Sequence, residues 1–190
     1  MRRLAWAGWL ALGLGGCTTV STVSEPVVLP DTPVAIRAWS MDGRIGVQSA
    51  GKAWQANLYW EHDPAQDRLR LSGPFSQGLV SIVVQKDLIY INEGGGVTAL
   101  SRDPDAMLRQ RLGFAVPLSS LRYWMLGVPD PGASAQRSAD AGAGSFRQAG
   151  WHIVPDQLAS IDGWMLPQKL TVQGAGVKLK ILADTWTLRN

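Results

Sequence analysis

The chain has 190 residues, of which 18 are basic and 15 acidic, and it contains a single cysteine. One cysteine excludes an intramolecular disulfide framework, and a formal net charge of +3 gives no basic stripe of the kind that nucleic-acid-binding proteins carry. The length is that of one ordinary domain with its own core.

The first sixteen residues are typical of a secretory signal. Two arginines precede an apolar run from Leu4 to about Leu14, and small residues then lead to Cys17. The run is shorter than the ~20 residues that a membrane span needs. The motif "LGGC" resembles the bacterial lipobox, in which the cysteine is acylated and becomes the first residue after cleavage. The alternative is a plain cleaved signal followed by an incidental cysteine.

Residues 17–36 are predicted to form an acylated N-terminus and a flexible tether. The segment is rich in Ser, Thr, Val and Pro, shows no useful period, and would reach ~50 to 65 Å when fully extended. Acyl chains on Cys17 would hold the protein on a membrane, because each buried CH₂ contributes ~0.8 kcal/mol. By resemblance to bacterial lipoproteins, Thr18 rather than Asp after the cysteine implies sorting to the outer membrane.

From Trp39 onward the pattern is that of β-strands. In "WQANLYW", residues 54–60, large apolar residues including Leu58 and Trp60 alternate with polar ones, which is the period of a half-buried strand. The alternation recurs in "VKLKILA", residues 177–183, and Gly-, Asp- and Asn-containing turns separate the runs. This spacing predicts an antiparallel sheet built as a meander.

One predicted turn carries an aromatic residue. "LRLSGPFSQGLVSIVV", residues 69–84, reads as two strands joined by a turn with Phe75 near its tip, among residues that turns normally use. Taken alone, Phe75 is best interpreted as packing back onto the end of a core, because single apolar surface residues are common.

Two helices interrupt the strands. "DPDAMLRQRLGF" offers Asp103 as an N-cap and Gly113 as a stop, and "VPLSSLRYWMLGVPDP" predicts a helix that begins at Pro117 and ends at Gly127. The following "PDPGASAQRSADAGAG" has few large apolar residues and is predicted to be a mobile loop. The fold class is therefore α+β, a large antiparallel sheet with short helices on one side.

The sequence favours a binding module over an enzyme. No metalloprotease, nucleophile-elbow or phosphate-loop motif occurs, and His62 and His152 are interpreted as ordinary surface or strand-edge residues. No catalytic or metal-binding residue is assigned, and nucleic acid is not expected as a partner. The strand-edge arginines, Arg44, Arg68 and Arg70, are interpreted as solvated charges rather than as a docking surface. The tryptophans suit either a core or the wall of a ligand cavity.

Several segments together resemble the outer-membrane lipoprotein receptor family LolB. They are "GRIGV", "WQANLYW", "LRLSGPFSQG", "LSSLRYWMLGVPDP" and "LPQKLTVQGAGVKLKILADTWTL", which occur in the family's order and approximate spacing. The resemblance covers nearly all of the chain after the tether, and its most specific part is the leucine-rich helix that runs into "YWMLGVPDP". The segment before "GRIGV" is shorter and more broken by proline than the N-terminal helix of the family.

The resemblance implies a LolB-like domain over residues 37–190, preceded by the signal, residues 1–16, and the tether. Its fold would be an incomplete antiparallel β-barrel of about eleven strands, with short helices forming a lid over an apolar cavity. The protein would be a monomer on the outer membrane that faces the periplasm, accepts acylated lipoproteins from the carrier LolA and inserts them among outer-membrane phospholipids. It would need no cofactor beyond the diacylglyceryl and acyl groups on Cys17.

Site residues also follow from the resemblance. Phe75 would lie in a protruding loop that engages the membrane during delivery. The candidates for the acyl-chain cavity or its lid are Leu58, Trp60, Leu121, Trp124 and Met125. Two alternatives stay open: a LolA-like carrier with the same fold, and a structural or glycan-binding outer-membrane lipoprotein that presents its tryptophans to sugars.

Overall fold

The computed structural model describes residues 36–73, 78–94, 98–114, 116–138, 142 and 144–189, so that Cys17 and Phe75 lie outside the described residues. Eleven strands and two helices are found in these ranges. In chain order they are β1 Ala38–Ser49, β2 Lys52–Asp63, β3 Gln66–Ser72, β4 Val80–Gln85, β5 Leu88–Asn92, β6 Thr98–Ser101, α1 Pro104–Leu112, α2 Leu118–Met125, β7 Ala135–Arg137, β8 Phe146–Gln148, β9 Trp151–Ile161, β10 Trp164–Gly174 and β11 Val177–Arg189.

All eleven strands belong to one antiparallel sheet. Its order is β6-β5-β4-β3-β2-β1-β11-β10-β9-β8-β7, so the first and last strands of the chain pair in the middle and the two edges, β6 and β7, stay apart. Every other neighbour in the sheet is also a neighbour in sequence, as the predicted meander requires. The predicted incomplete barrel of about eleven strands with short helices is confirmed.

The inner face of the sheet carries the core. On β2 the side chains of Leu58 and Trp60 are buried and Tyr59 between them is not, and on β11 Leu179 and Ile181 are buried while Lys180 is exposed. Alternation of this kind follows from the pleat, which turns successive side chains to opposite faces. Burial of each such large apolar side chain contributes roughly 1.5 to 3 kcal/mol, which fixes the register of the central strands.

A bulge bends β1 where it crosses the middle of the sheet. Its register with β11 shifts between Asp42 and Gly43, and a Cβ atom placed on Gly43 would collide with the carbonyl oxygen of Leu182. Only glycine therefore allows the two strands to approach at this point. Bulges re-aim the strand and increase its twist, which helps a sheet of this width to curve around a core.

Both predicted helices are present, α1 with its predicted caps and α2 shorter than predicted, because it ends at Met125 rather than at Gly127. At the start of α1 the carboxylate of Asp103 accepts a hydrogen bond from the backbone N–H of Ala106 at 2.9 Å, and Gly113 ends the helix in the left-handed conformation. Helix α2 begins directly after Pro117 and is followed by Gly127, also left-handed.

The segment after α2 was predicted to be a loop throughout, and this is wrong for part of it. Residues 135–137 form the short edge strand β7, which pairs with β8 through its backbone. All three side chains of β7 are exposed, so the strand has no apolar alternation that the sequence could reveal. The position of β7 is therefore set by its backbone pairing with β8.

The two ends of the sheet differ in composition. The basic end contains the β1–β2, β8–β9 and β10–β11 turns, the end of β3, the start of β4, and the end of β5, which is followed by Glu93. The acidic end contains the β2–β3, β4–β5 and β9–β10 turns and the start of α1, with Asp63, Asp87, Asp162 and Asp103.

Candidate functional site

An apolar cavity lies between the inner face of the sheet and the helices. Leu58, Trp60 and Leu179 belong to its sheet wall, and Leu108 of α1 and Leu121 of α2 belong to its helical wall. The lining contains side chains from five different strands, and all of them are apolar apart from the indole N–H groups of its two tryptophans. Such a lining suits hydrocarbon and offers little to a polar ligand.

The cavity volume is about 40 Å³. This is room for only a few water molecules. A long acyl chain therefore does not fit between the walls as they stand. Any occupant of that size requires the helical wall to separate from the sheet.

The cavity lies close to solvent beside Trp54. This residue is 36% exposed, whereas Leu58 and Trp60 on the same face of β2 are buried. The Trp54 ring lies 6.3 Å from the ring of Phe114, which follows α1 and also lines the cavity. The two rings form the rim of the cavity toward the basic end.

The structure brings three of the five predicted cavity or lid residues to the cavity itself. Leu58, Trp60 and Leu121 line it. Trp124 and Met125 are also buried on α2 but do not belong to the lining, and the Trp124 ring lies 6.2 Å from that of Trp151 on β9. The role of all five in lipid binding stays a prediction.

A buried carboxylate closes the cavity toward the acidic end. Asp67 on β3 is 4% exposed, and its Oδ1 accepts a hydrogen bond from the indole N–H of Trp60 at 3.0 Å. The same oxygen lies 2.8 Å from His62 Nδ1, and a guanidinium nitrogen of Arg122 lies 3.6 Å from Oδ2. Because Arg122 belongs to α2, Asp67 joins the helix to the sheet.

The sequence interpretation of His62 as an ordinary surface or edge residue is wrong. Its side chain is only 14% exposed, and its ring lies 5.6 Å from that of the fully buried Trp39. The period of β2 could have revealed this, because His62 has the same parity as Leu58 and Trp60 and so points to the inner face.

A buried amide holds the other end of α2. Gln148 on β8 is 2% exposed and accepts hydrogen bonds from the indole N–H of Trp124 at 2.7 Å and from the backbone N–H of Asp130 at 2.9 Å. Its own amide group donates to the carbonyl oxygens of Asp130 and Ala133, each at 2.8 Å. All of these polar groups are satisfied, so α2 is fixed at both Arg122 and Trp124.

Helix α1 is held less firmly than α2. Among its described side chains only Leu108 is buried, whereas five of the eight residues of α2 are buried. Partial burial, together with the neighbouring Asp103, raises the pKa of Asp105 in its first turn. The chain thus covers the cavity with one fixed helix and one lightly attached helix.

The outer face of the sheet carries several paired charges. Arg44 donates to Asp184 at 2.9 Å, Arg68 lies 3.8 Å from Glu61, and the Arg70 guanidinium lies 4.9 Å from the centre of the Tyr59 ring. Arg44 and Arg68 are about half exposed. Their arrangement agrees with solvated strand charges.

Comparisons with known proteins give a consistent result. Residues 37–186 match the family model described as "Outer membrane lipoprotein LolB". The chain is similar to proteins named outer-membrane lipoprotein LolB from Thiobacillus denitrificans, 32% identical over 98% of both chains, and from a Marinomonas species, 28% identical over 84% of this chain and 85% of the relative. Its fold is similar to the crystal structure of LolA superfamily protein NE2245 from Nitrosomonas europaea, with a TM-score of 0.50 and 10% identity over 84% of this chain and 89% of the other.

The described helices are both short, and neither has the length and apolar character that crossing a bilayer would need.

Proposed function

Because the chain belongs to the LolB family and is an outer-membrane lipoprotein receptor, we propose that the cavity beneath α1 and α2 accepts the acyl chains of lipoproteins from the carrier LolA. The observation that carries the proposal is the wholly apolar lining between the sheet and the helices. The passenger protein would stay outside, so one cavity would serve many lipoproteins through the lipid that they share.

Transfer of this kind needs no nucleotide, metal or covalent step. An acyl chain in water costs ~0.8 kcal/mol per CH₂, so a chain leaves one apolar cavity only as another receives it. Each acceptor must then hold the chains better than the one before, and the bilayer is the final acceptor.

Opening of the cavity is assigned to α1. Helix α2 is fixed by Asp67 and Gln148, whereas α1 has Leu108 as its buried described contact. Movement of α1 with Phe114 would enlarge the cavity at the rim formed with Trp54 while α2 keeps its place. If α2 moved instead, Asp67 on β3 and Gln148 on β8 would lose their partners Arg122 and Trp124 in the core, which is costly.

The membrane anchor is assigned to Cys17 and the tether that follows it. Acylated Cys17 would hold the domain at the outer membrane on its periplasmic side, and residues 17–36 would let it reorient between carrier and bilayer.

The alternative of a glycan-binding lipoprotein is not favoured. Sugar platforms need exposed aromatic faces, but Trp39, Trp60 and Trp124 are fully buried, and Trp151 and Trp186 are each 7% exposed. Trp54 is 36% exposed, but its ring packs beside Phe114 at the rim of the cavity.

The acceptance step is tested by mixing the purified chain with LolA that carries a triacylated lipoprotein, without nucleotide, and measuring where the passenger resides. The wild-type chain should take up the passenger. Leu121→Gln places an amide in the cavity lining and should reduce uptake at least tenfold. Leu126→Gln is the matched control, because Leu126 is a buried leucine at the end of the same helix that does not line the cavity. Equal uptake by both variants would contradict the cavity proposal.

The release step is tested with Phe75→Glu. A charged side chain would oppose entry of this loop into the bilayer interface, so release into vesicles should fall while uptake from the carrier stays at the wild-type level. Loss of uptake by the same factor would remove the membrane role assigned to Phe75.

A further inference from the structure

The hairpins at the basic end of the sheet lack carboxylates, although Glu93 follows β5 at the same end and lies 3.5 Å from Arg111. Residues 46–56, 70–85, 144–154 and 171–182, which form its three hairpins and the strands next to the β3–β4 connection, contain no Asp or Glu. Besides Arg70, which lies over the Tyr59 ring, the same segments contain four cations on exposed or half-buried positions: Lys52, Arg147, Lys178 and Lys180. Within the described residues, none of these four forms an ion pair, unlike Arg44, Lys169 and Arg189 elsewhere on the sheet.

The turns at this end use an unusual residue. All three hairpins have alanine followed by glycine, both with positive φ, and the alanines are Ala50, Ala149 and Ala175. At the acidic end the same two-residue turn is formed by Asp162 and Gly163. Asn and Asp are the residues that usually precede glycine in such turns, since their side chains tolerate this conformation. Alanine is strained there, so the basic end keeps its three tips small and uncharged at some cost in stability.

Two exposed apolar side chains lie at the same end. Trp54 is 36% exposed at the rim of the cavity, and Leu79, directly before β4, is 47% exposed. On the outer face, Gly46 and Ala53 leave a groove of about 400 Å³ that is bordered by Lys178 and Lys180. Unpaired cations, small tips and exposed apolar side chains together are the features of a surface that meets lipid headgroups and the interface beneath them.

We propose that the basic end docks on a bilayer that contains anionic phospholipid, with the lysines at the headgroup phosphates and with Trp54 and Leu79 at the interface. The inference deepens the proposed function, because it places the rim of the cavity against the bilayer that receives the acyl chains. It assigns to Lys52, Lys178 and Lys180 a role in recognising negative lipid charge.

The position of the anchor is compatible with this orientation. The chain enters β1 at the acidic end, and the 13 residues of β11 span about 43 Å between the ends. The 19 Cα–Cα intervals between Cys17 and Ile36 reach at most about 65 Å. The acylated cysteine and the basic end can therefore contact one bilayer.

The experiment uses the full acylated chain reconstituted in vesicles of phosphatidylcholine, with or without one-third phosphatidylglycerol, and no carrier. Lysines are labelled briefly with an amine reagent, and each site is quantified by mass spectrometry. Labelling of Lys52, Lys178 and Lys180 should fall severalfold with the anionic lipid, and this protection should disappear at high salt, where the Debye length shortens. Lys86 at the acidic end is the internal control and should label equally in both vesicles.

Two sets of variants test the same surface in passenger release. Lys178→Glu with Lys180→Glu should slow release about tenfold into anionic vesicles and leave uptake from the carrier unchanged, whereas Lys86→Glu should have no effect. Ala50→Asp, Ala149→Asp and Ala175→Asp combined should give the same defect while keeping the fold, because Asp suits these turns better than Ala.

Equal labelling of the lysines in both kinds of vesicle would overturn the proposal. Loss of uptake rather than release in the charge variants would also overturn it and would assign the surface to an acidic protein partner. Both results are distinct from failure of the proposed function, in which the wild-type chain would take up no passenger at all.

Discussion

The two ends of the sheet form their turns from residues of different chemistry. At the acidic end, Asp63 accepts hydrogen bonds from the backbone N–H groups of Ala65 and Gln66, and aspartates also occupy the other turns. At the basic end the three two-residue hairpin turns consist of alanine and glycine. One end is therefore built for stable turns, while the other gives up turn stability and keeps a positive, partly apolar surface.

The buried groups that hold α2 repeat this difference. Toward the acidic end the helix is held by the charged Asp67, and toward the basic end by the neutral amide of Gln148. A charge in the core is strongly destabilising when its partners are lost, whereas an amide costs only its own hydrogen bonds. The two sites therefore predict different responses to substitution.

The largest loss of stability is expected at the acidic end. Asp67→Ala leaves the Trp60 indole and the His62 ring without their hydrogen-bond partner and the Arg122 guanidinium without its ion-pair partner, and it should lower the free energy of unfolding by about 3 to 5 kcal/mol. Urea unfolding monitored by tryptophan fluorescence measures the change. Asp87→Ala is the control, because Asp87 is 64% exposed and 3.7 Å from Arg102, and it should change the same quantity by less than about 0.5 kcal/mol. Similar losses in the two variants would remove the distinction between a structural carboxylate and a surface one.

A smaller loss of stability is expected at Gln148, the neutral group that holds α2. Gln148→Leu keeps the volume but leaves the buried Trp124 N–H and the Asp130 backbone N–H without an acceptor, which should cost about 2 to 3 kcal/mol in urea unfolding. Gln173→Leu on the exposed outer face of β10 should stay within about 0.5 kcal/mol of the wild type. If Gln148→Leu were neutral, the amide would not fix α2.

Much of the fold could be predicted from local pattern. The alternation in β2 places Leu58 and Trp60 inside, and the capping residues Asp103 and Gly113 mark the ends of α1. These features depend on neighbours in sequence, which is why a single sequence reveals them. The edge strand β7 could not be found, because only its backbone contacts another strand.

The site was predicted less completely than the fold. Leu121 was placed at the cavity, but Asp67 and Gln148 were missed. Strand period puts Asp67 on the same face as Leu69 and Leu71, and Gln148 on the same face as Phe146, but their partners on other elements could not be read from the sequence. The positive φ of Ala50 and its two counterparts was equally invisible, although the repeated Ala-Gly pairs at hairpin tips were present in the sequence.

The smallest change in stability is expected on the outer face, where a lysine that forms an ion pair can be compared with one that does not. A hydrogen bond from Lys169 at 2.9 Å lowers the pKa of Asp156 below its ordinary value of 3.8. A carboxyl whose pKa is lower in the folded state stabilises the fold above its ordinary pKa, and this contribution is lost as the pH falls through the folded value. Lys169→Met should therefore lower the free energy of unfolding at neutral pH by about 0.5 kcal/mol or less and reduce its decrease below about pH 4. Lys180→Met should change neither quantity, since Lys180 has no ion pair among the described residues, and a measurable loss of stability there would mean that this lysine serves the fold rather than a surface that meets lipid.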